Sequence, residues 1–328
     1  MDIKVSIIIP VYNVAPYLDA CLSSCVNQTF RDIEIIVVND GSTDESPLII
    51  QKYAEKDDRI KIITKENEGL IYARKSGLDV ACGEYISHLD GDDYMEIDMI
   101  EKLYDEVIKG EADYIVANFY VVTENKRHET WHSNGIKGLS GENFFLGILQ
   151  GRFEVWGRLI RKSLYEGVIY KPVVVGEDLF MTIQILLKVK KPVVIENFLY
   201  NYVMRADSIT RQNEEIVRKH LLYMIGSVFS LLDLYPYSLP IRENVYLMYY
   251  IFFLKCMSQK RMEIKPILYN YYWTKKDVRI FLWRKRKDFY LILHIFFRSP
   301  SLAKLVARVY LYMIPLWVKY IRKIISSK

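Results

Sequence analysis

Ile33-Glu34-Ile35-Ile36-Val37-Val38-Asn39-Asp40-Gly41-Ser42-Thr43-Asp44 is the stretch on which the fold turns. A short β-branched run is the mark of a strand buried on both faces, as in a parallel sheet. It breaks at Asn39-Asp40-Gly41-Ser42, and Ser42 or Thr43 is suited to cap a helix over about 44–56. The same unit recurs outward in both directions. Residues 3–9 form a β-branched run closed by Pro10, followed by a helical pattern over about 15–27. Ile60–Thr64, a loop with Gly69, a helix over about 70–81 ended by Gly83, and a strand over 85–89 stopping at Asp90 come next. A helix over about 97–109 leads to a strand at Asp113–Asn118. Such alternation predicts βαβ units and the α/β class, a doubly wound, Rossmann-like, mostly parallel sheet flanked by helices. Ligands of such sheets bind beyond the carboxyl ends of the strands. Here those ends are Pro10–Asn13, Asp40–Asp44, Lys65–Gly69 and Asp90–Asp93.

Farther on, residues 119–140 read as irregular and hairpin-like, and helices are expected at about 141–150 and 177–188. Pro192–Ile195 and Tyr200–Tyr202 look extended, and beyond residue 213 the pattern is helical, aromatic and basic. The division expected is residues 1–212 as a catalytic domain and 213–328 as a helical C-terminal region.

Composition bounds the function. The chain has 328 residues, 51% of them hydrophobic and 26% charged, which supplies a real core and excludes a disordered or collagen-like chain. Residues 255–328 carry 18 Lys and Arg against 3 Asp and Glu, leaving 27 basic and 37 acidic residues before them. A basic tail on an acidic body suits an anionic surface, either lipid headgroups or nucleic acid. Cys21, Cys25, Cys82 and Cys256 form no C-x-x-C pair and have no histidine at ligand spacing, so zinc is not expected. Cys21 and Cys25 read as small buried side chains of one helix. Few cysteines and no signal peptide point to a reducing cytoplasm. The longest apolar runs of the tail, Val245–Leu254, Phe289–Phe297 and Val309–Val318, fall short of the ~18–20 residues a spanning helix needs.

The usual glycine cradles for phosphate are missing. After the first strand the chain reads Pro10-Val11-Tyr12-Asn13, without G-x-G-x-x-G, and no P-loop is present. A nucleotide diphosphate would therefore need a metal and cationic side chains. Leu89-Asp90-Gly91-Asp92-Asp93 offers carboxylates two apart in an extended segment, which can share a hard divalent cation. Alone, the same residues also read as capping aspartates of a strand-to-helix turn.

The ordered set is more specific than any of its parts. Val5–Asn13, Val38–Asp44, Asn67-Glu68-Gly69 with Ala73-Arg74, Leu89–Asp93, Val155–Leu159, Gly176-Glu177-Asp178, and Tyr202 with Ser208-Ile209-Thr210 resemble the family 2 glycosyltransferases. The set is similar in particular to bacterial enzymes that build capsule, O-antigen or exopolysaccharide repeating units, and the resemblance covers about residues 1–212. The resemblance implies a GT-A fold and an inverting, metal-dependent sugar transfer. The donor is expected to be a nucleotide-sugar, a UDP-sugar first and a GDP- or dTDP-sugar as the alternative. The acceptor is expected to be a glycan hydroxyl, carried on a polyprenyl diphosphate. Pro10 and Tyr12 then resemble the loop on the nucleobase, Asp40 the aspartate that bonds the base, and Arg74 the basic residue beside the nucleotide. Asp90 and Asp92 match the D-x-D pair for Mn²⁺ or Mg²⁺, Asp92 as direct ligand, with Asp93 assisting through water or the donor sugar. Asp178 resembles the catalytic base and Glu177 its orienting partner. Trp156 resembles an acceptor-site aromatic or is a buried structural side chain. Arg205 closes over the diphosphate or is a solvated loop arginine. No histidine sits in 203–212 to complete a metal sphere. Apart from the resemblance, Arg74 reads as an exposed helix arginine.

In the tail, Phe281-Leu282-Trp283 precedes Arg284-Lys285-Arg286-Lys287, and Leu316-Trp317-Val318 precedes Lys319, Arg322 and Lys323. Aromatics beside cations suit an interfacial helix on an anionic bilayer, the inner face of the cell membrane, rather than nucleic acid. A helical cap with a solvated basic face is the structural alternative. A noncatalytic scaffold descended from a transferase is the functional one.

Overall fold

The computed structural model describes residues 3–124, 126–130, 135–149, 153–172 and 176–205, with isolated positions between 227 and 245. The chain divides into two compact units, Met1–Gln212 and Asn213–Lys328. In the second unit Val228, Leu231, Ile241 and Val245 are buried. The tail helices expected beyond residue 245, and Cys256, lie outside the described residues.

In the first unit the order is β1 (Val5–Val11), α1 (Ala15–Val26), β2 (Ile33–Asp40), α2 (Ser46–Ala54), β3 (Ile60–Lys65), α3 (Leu70–Val80) and β4 (Tyr85–His88). Then come β5 (Tyr94–Met95), α4 (Met99–Gly110), β6 (Tyr114–Thr123), β7 (Lys126–Thr130), α5 (Gly141–Leu149), β8 (Arg158–Arg161), α6 (Glu177–Leu186) and β9 (Pro192–Val203). The described strands form one sheet in the order β3-β2-β1-β4-β8-β6-β9-β5, with β7 on β6. From β3 to β4 every pairing is parallel, as the alternation predicts. Beyond β4 the sheet is mixed. Strand β8 is antiparallel to both β4 and β6, while β9 is parallel to β6 and antiparallel to β5. Strand β6 offers one edge twice, Tyr114–Val116 to β8 and Phe119–Thr123 to β7.

Every residue of β1 and β2 is buried. Val5, Ile7, Ile9 and Val11 share one core with Ile35, Val37 and with Leu18, Cys21, Leu22 and Cys25 of α1. The alternate residues face α3, where a Cβ on Gly77 would stand 2.5 Å from Ile8 Cγ2 and 3.3 Å from Val38 Cγ2. Glycine there lets α3 lie close to the sheet. Each fully buried Ile or Val adds about 1.5–3 kcal/mol over leaving it exposed. Glu34, a charge inside the β2 run, is 1% exposed and is satisfied by Ser6 Oγ at 2.5 Å, Lys61 Nζ at 2.7 Å and Cys82 N at 2.5 Å.

Caps differ from the sequence expectation. Neither Ser42 nor Thr43 caps α2. Asp44 instead accepts from Ser46 N at 3.0 Å and from Ala15 N at 2.9 Å, so one carboxylate serves the starts of two helices. Asn13, in a left-handed conformation with φ 51°, accepts from Thr43 N at 2.8 Å and ties the β1 and β2 ends together. The strand order reverses at β1, with β2 on one side and β4 on the other, which is the switch point where α/β sheets open a crevice. Asp90–Asp93 lies there.

Candidate active site

Arg74 is the hub. It lies on α3 one helical turn before Gly77, so the close approach of that helix lowers its side chain onto the strand ends. It is 1% exposed, which overturns the reading of an exposed helix arginine. Its Nη2 donates to Asp90 Oδ1 at 2.7 Å and its Nη1 to Asp178 Oδ1 at 2.5 Å, with Glu177 Oε1 3.5 Å from Nη1. Carboxylates 88 residues apart in the chain thus share one guanidinium. Burial alone would push Arg74's pKa down, but Asp178, Asp90 and Glu177 together hold it above the ordinary value.

The second partner comes from the start of α6. Gly176 has φ 92°, a conformation glycine adopts without strain, and it turns the chain so that Glu177 and Asp178 open the helix. Acidic residues in a first turn also suit the helix dipole. Burial raises both carboxyls, Glu177 to about 8, where Asp178 adds repulsion and Arg74 opposes. Asp178 holds the hydrogen bond to Arg74, which favours its charged form, while Glu177 Oε1 stands 3.5 Å from the same nitrogen. A pKa raised from 4.5 means the native state keeps a proton that the unfolded chain has released. Its stabilisation is complete below the unfolded pKa and is lost as pH rises through about 8. Melting temperature is expected to fall progressively between about pH 4.5 and about pH 8, the unfolded and folded values, and Glu177→Gln to flatten that fall. A variant as pH-dependent as the parent would refute the assignment.

The D-x-D turn is held from below. Asp93 is 1% exposed and accepts from Tyr200 Oη and Val203 N, both at 2.7 Å. Tyr200 Oη also accepts from Asp90 N at 3.3 Å, and Cys21 Sγ lies 3.7 Å from Asp90 O. Asp93 therefore fastens the turn to β9 through both of its side-chain oxygens. Asp92 pairs with Arg205 Nε at 2.7 Å. Burial raises Asp92, Asp90 adds to the rise, and Arg205 opposes it. Arg205's side chain is 15% exposed, so it is not a solvated loop arginine.

Other sequence-selected residues fall nearby or apart. Pro10 lies one residue before the end of β1, paired with Val38, and Tyr12 is 47% exposed just beyond the strand. Asp40 is 2% exposed and accepts from Glu68 N at 3.1 Å and Gly69 N at 2.8 Å, fixing the loop before α3. Trp156 is 6% exposed, stacked on Tyr200 at 4.4 Å and Tyr202 at 5.6 Å and edge-on to Phe119, which fits the structural one of its two readings. Arg158, a position the sequence quoted without a role, is fully buried on β8 and its charge lowers Asp178. It donates to Tyr114 Oη. His88 is 1% exposed, its ring nitrogens have no hydrogen-bond partner among the described residues, and burial drives its pKa to about 3, so it is neutral. An arginine at the start of a four-residue strand gives no periodic signal, so only the motif context of Arg158 could have flagged it.

Asp90 and Asp92 fit a hard divalent cation. Each already carries a cationic group, Arg74 and Arg205, so the turn attracts positive charge from two sides. No three His, Cys, Asp or Glu among the described residues cluster to hold a metal unaided. A pair of carboxylates completed by phosphate oxygens is how Mg²⁺ is commonly bound.

A family model described as glycosyl transferase family 2 matches residues 6–168. Glycosyltransferase GlyG of Streptococcus pneumoniae is 32% identical over 223 residues, covering 64% of this chain and 74% of that protein. Glycosyltransferase GlyA of the same organism is 35% identical over 222 residues, covering 64% of this chain and 32% of its own length. The chain spans 32%, 62% and 36% of the lengths of the first three curated relatives it matches. Among solved structures, residues 1–349 of S. aureus TarS in complex with UDP-GlcNAc align with a TM-score of 0.73 at 17% identity, over 94% of this chain and 91% of that one. Mannosyltransferase PcManGT from Pyrobaculum calidifontis, in complex with GDP-Man and Mn²⁺, aligns with a TM-score of 0.54 at 14% identity, over 93% and 86%. At those identities the likeness is one of fold.

Proposed function

Because the chain belongs to glycosyl transferase family 2 and carries the GT-A fold, we propose that it moves a sugar from a UDP-sugar to a glycan hydroxyl, with inversion at the anomeric carbon. The observation that carries this reading is the bridge by which Arg74 joins Asp90 to Asp178. It sets a candidate metal carboxylate and a candidate base on one buried guanidinium.

Asp178 takes the acceptor's hydroxyl proton as that oxygen attacks C1, the work of a general base. Arg74 keeps Asp178 ionised and aimed, and Glu177 holds its own proton. Arg158 adds positive charge behind Asp178. Asp92, with Asp90, would hold Mn²⁺ or Mg²⁺. A bound cation would neutralise charge on the leaving diphosphate, so no carboxylic acid need protonate that oxygen, unlike in glycosidases. Tyr12, exposed beside the β1 end, and Pro10 would meet the base, and Arg205 the diphosphate.

The acceptor proposed is a lipid-linked glycan. The net-basic tail suits an anionic membrane surface, each cation near it adding at most about 1 kcal/mol. Among the described residues no helix is long and apolar enough to cross a membrane. Titration calorimetry with UDP tests the reading. Affinity is expected to rise at least about ten-fold when Mn²⁺ is added, as a shared phosphate–metal site requires, and to return when EDTA removes it. Absence of any metal-dependent nucleotide binding, with UDP, GDP or dTDP, would favour the noncatalytic scaffold.

A further inference from the structure

We propose that Arg205 is a resident counter-ion of Asp92 that a divalent cation must displace, so that cation and nucleotide diphosphate enter together. The inference rests on the nucleotide-sugar reading above and concerns the order of events at the same site.

The two arginines on the D-x-D pair are differently built. Arg74 is 1% exposed and bridges carboxylates from two elements, so nothing about it is exchangeable. Arg205 lies at the margin, its side chain 15% exposed against 22% for Asp92. Its backbone approach is fixed. Val203 N donates to Asp93 Oδ1 at 2.7 Å, and Met204 N to Val122 O at 2.8 Å. The chain leading to Arg205 is thus tied to the very turn that carries Asp92. Its guanidinium also sits over the Tyr17 ring, 5.5 Å from the centroid.

A cation arriving alone meets an Asp92 already paired and must break that pair. A cation arriving with a diphosphate meets a different balance. The displaced guanidinium then has phosphate oxygens to take, which its planar fork of N–H donors matches well. Each partner removes the cost of binding the other. Thermodynamic linkage makes that coupling reciprocal.

The test is titration of Mn²⁺ into the full-length protein, followed by the electron paramagnetic resonance of free Mn²⁺, first without nucleotide and then with saturating UDP. The wild-type protein is expected to bind Mn²⁺ weakly alone and more tightly with UDP. Arg205→Ala is expected to bind Mn²⁺ alone about two- to five-fold more tightly, the range an ion pair of such partial exposure is worth. UDP should then improve its Mn²⁺ affinity by a smaller factor than in the wild type. Arg205→Lys, which keeps a charge but not the fork, should fall between the two. An Arg205→Ala protein with unchanged circular dichroism that binds Mn²⁺ alone no more tightly than the parent would overturn the inference. A wild-type protein that binds no Mn²⁺ with UDP, GDP or dTDP would instead overturn the functional reading, and the inference with it.

Discussion

Asp178→Asn is expected to lower the rate of sugar transfer by about 10²–10⁴-fold, the usual contribution of a positioned general base. Nucleotide affinity should change little. Asparagine keeps an oxygen for Arg74 Nη1, which now reaches Asp178 Oδ1 at 2.5 Å, and keeps the volume at the start of α6. What it loses is basicity. Single-turnover transfer rates and UDP calorimetry on the same preparation separate the two quantities. A variant with near-parental turnover would remove Asp178 from the chemistry.

Loss of Arg74 should do more damage, because it acts on stability as well as on rate. Arg74→Ala leaves Asp90, Asp178 and Glu177 facing one another without their common cation. Removing one partner of a buried ion pair typically costs about 3–5 kcal/mol, and chemical denaturation should read a loss of that order. Such a variant can fail to fold, so Arg74→Lys is the sharper probe. An ammonium preserves the charge but cannot fork onto Asp90 and Asp178 together. The lysine variant is expected to remain folded and to lose at least about ten-fold in transfer rate, since misplacement by ~1 Å already costs far more than binding alone suggests. Full activity in Arg74→Lys would mean that Asp90 and Asp178 need no shared anchor.

The parallel half of the fold was legible because β1 and β2 are buried on both faces and so read as runs dominated by Ile and Val. The mixed half was not. Strand β8 is four residues with arginine at each end, and β5 is only Tyr94–Met95, so neither offers a hydrophobic pattern. Strand β9 was visible only in pieces, because Glu196 and Asn197 interrupt its apolar run and its register on β6 slips between Val116 and Phe119. For the site, local sequence supplied the residues and the order, while long-range packing supplied the partners. Nothing in residues 70–80 signals that Arg74 is buried; that follows from Gly77 letting α3 sit on Ile8. Asp93 and Asp92 are neighbours in sequence with opposite fates, one fastening β9 and the other facing Arg205. A D-x-D-D string cannot tell them apart.

A crystal of the protein grown with UDP and Mn²⁺, with the metal located by its anomalous signal, addresses the central claim most directly. The expected map has Mn²⁺ between Asp92 and the diphosphate, with Asp178 still on Arg74 and facing the open side of the donor. Nucleotide or metal seated away from the Asp90–Asp93 turn, or Asp178 turned from that crevice, would contradict it.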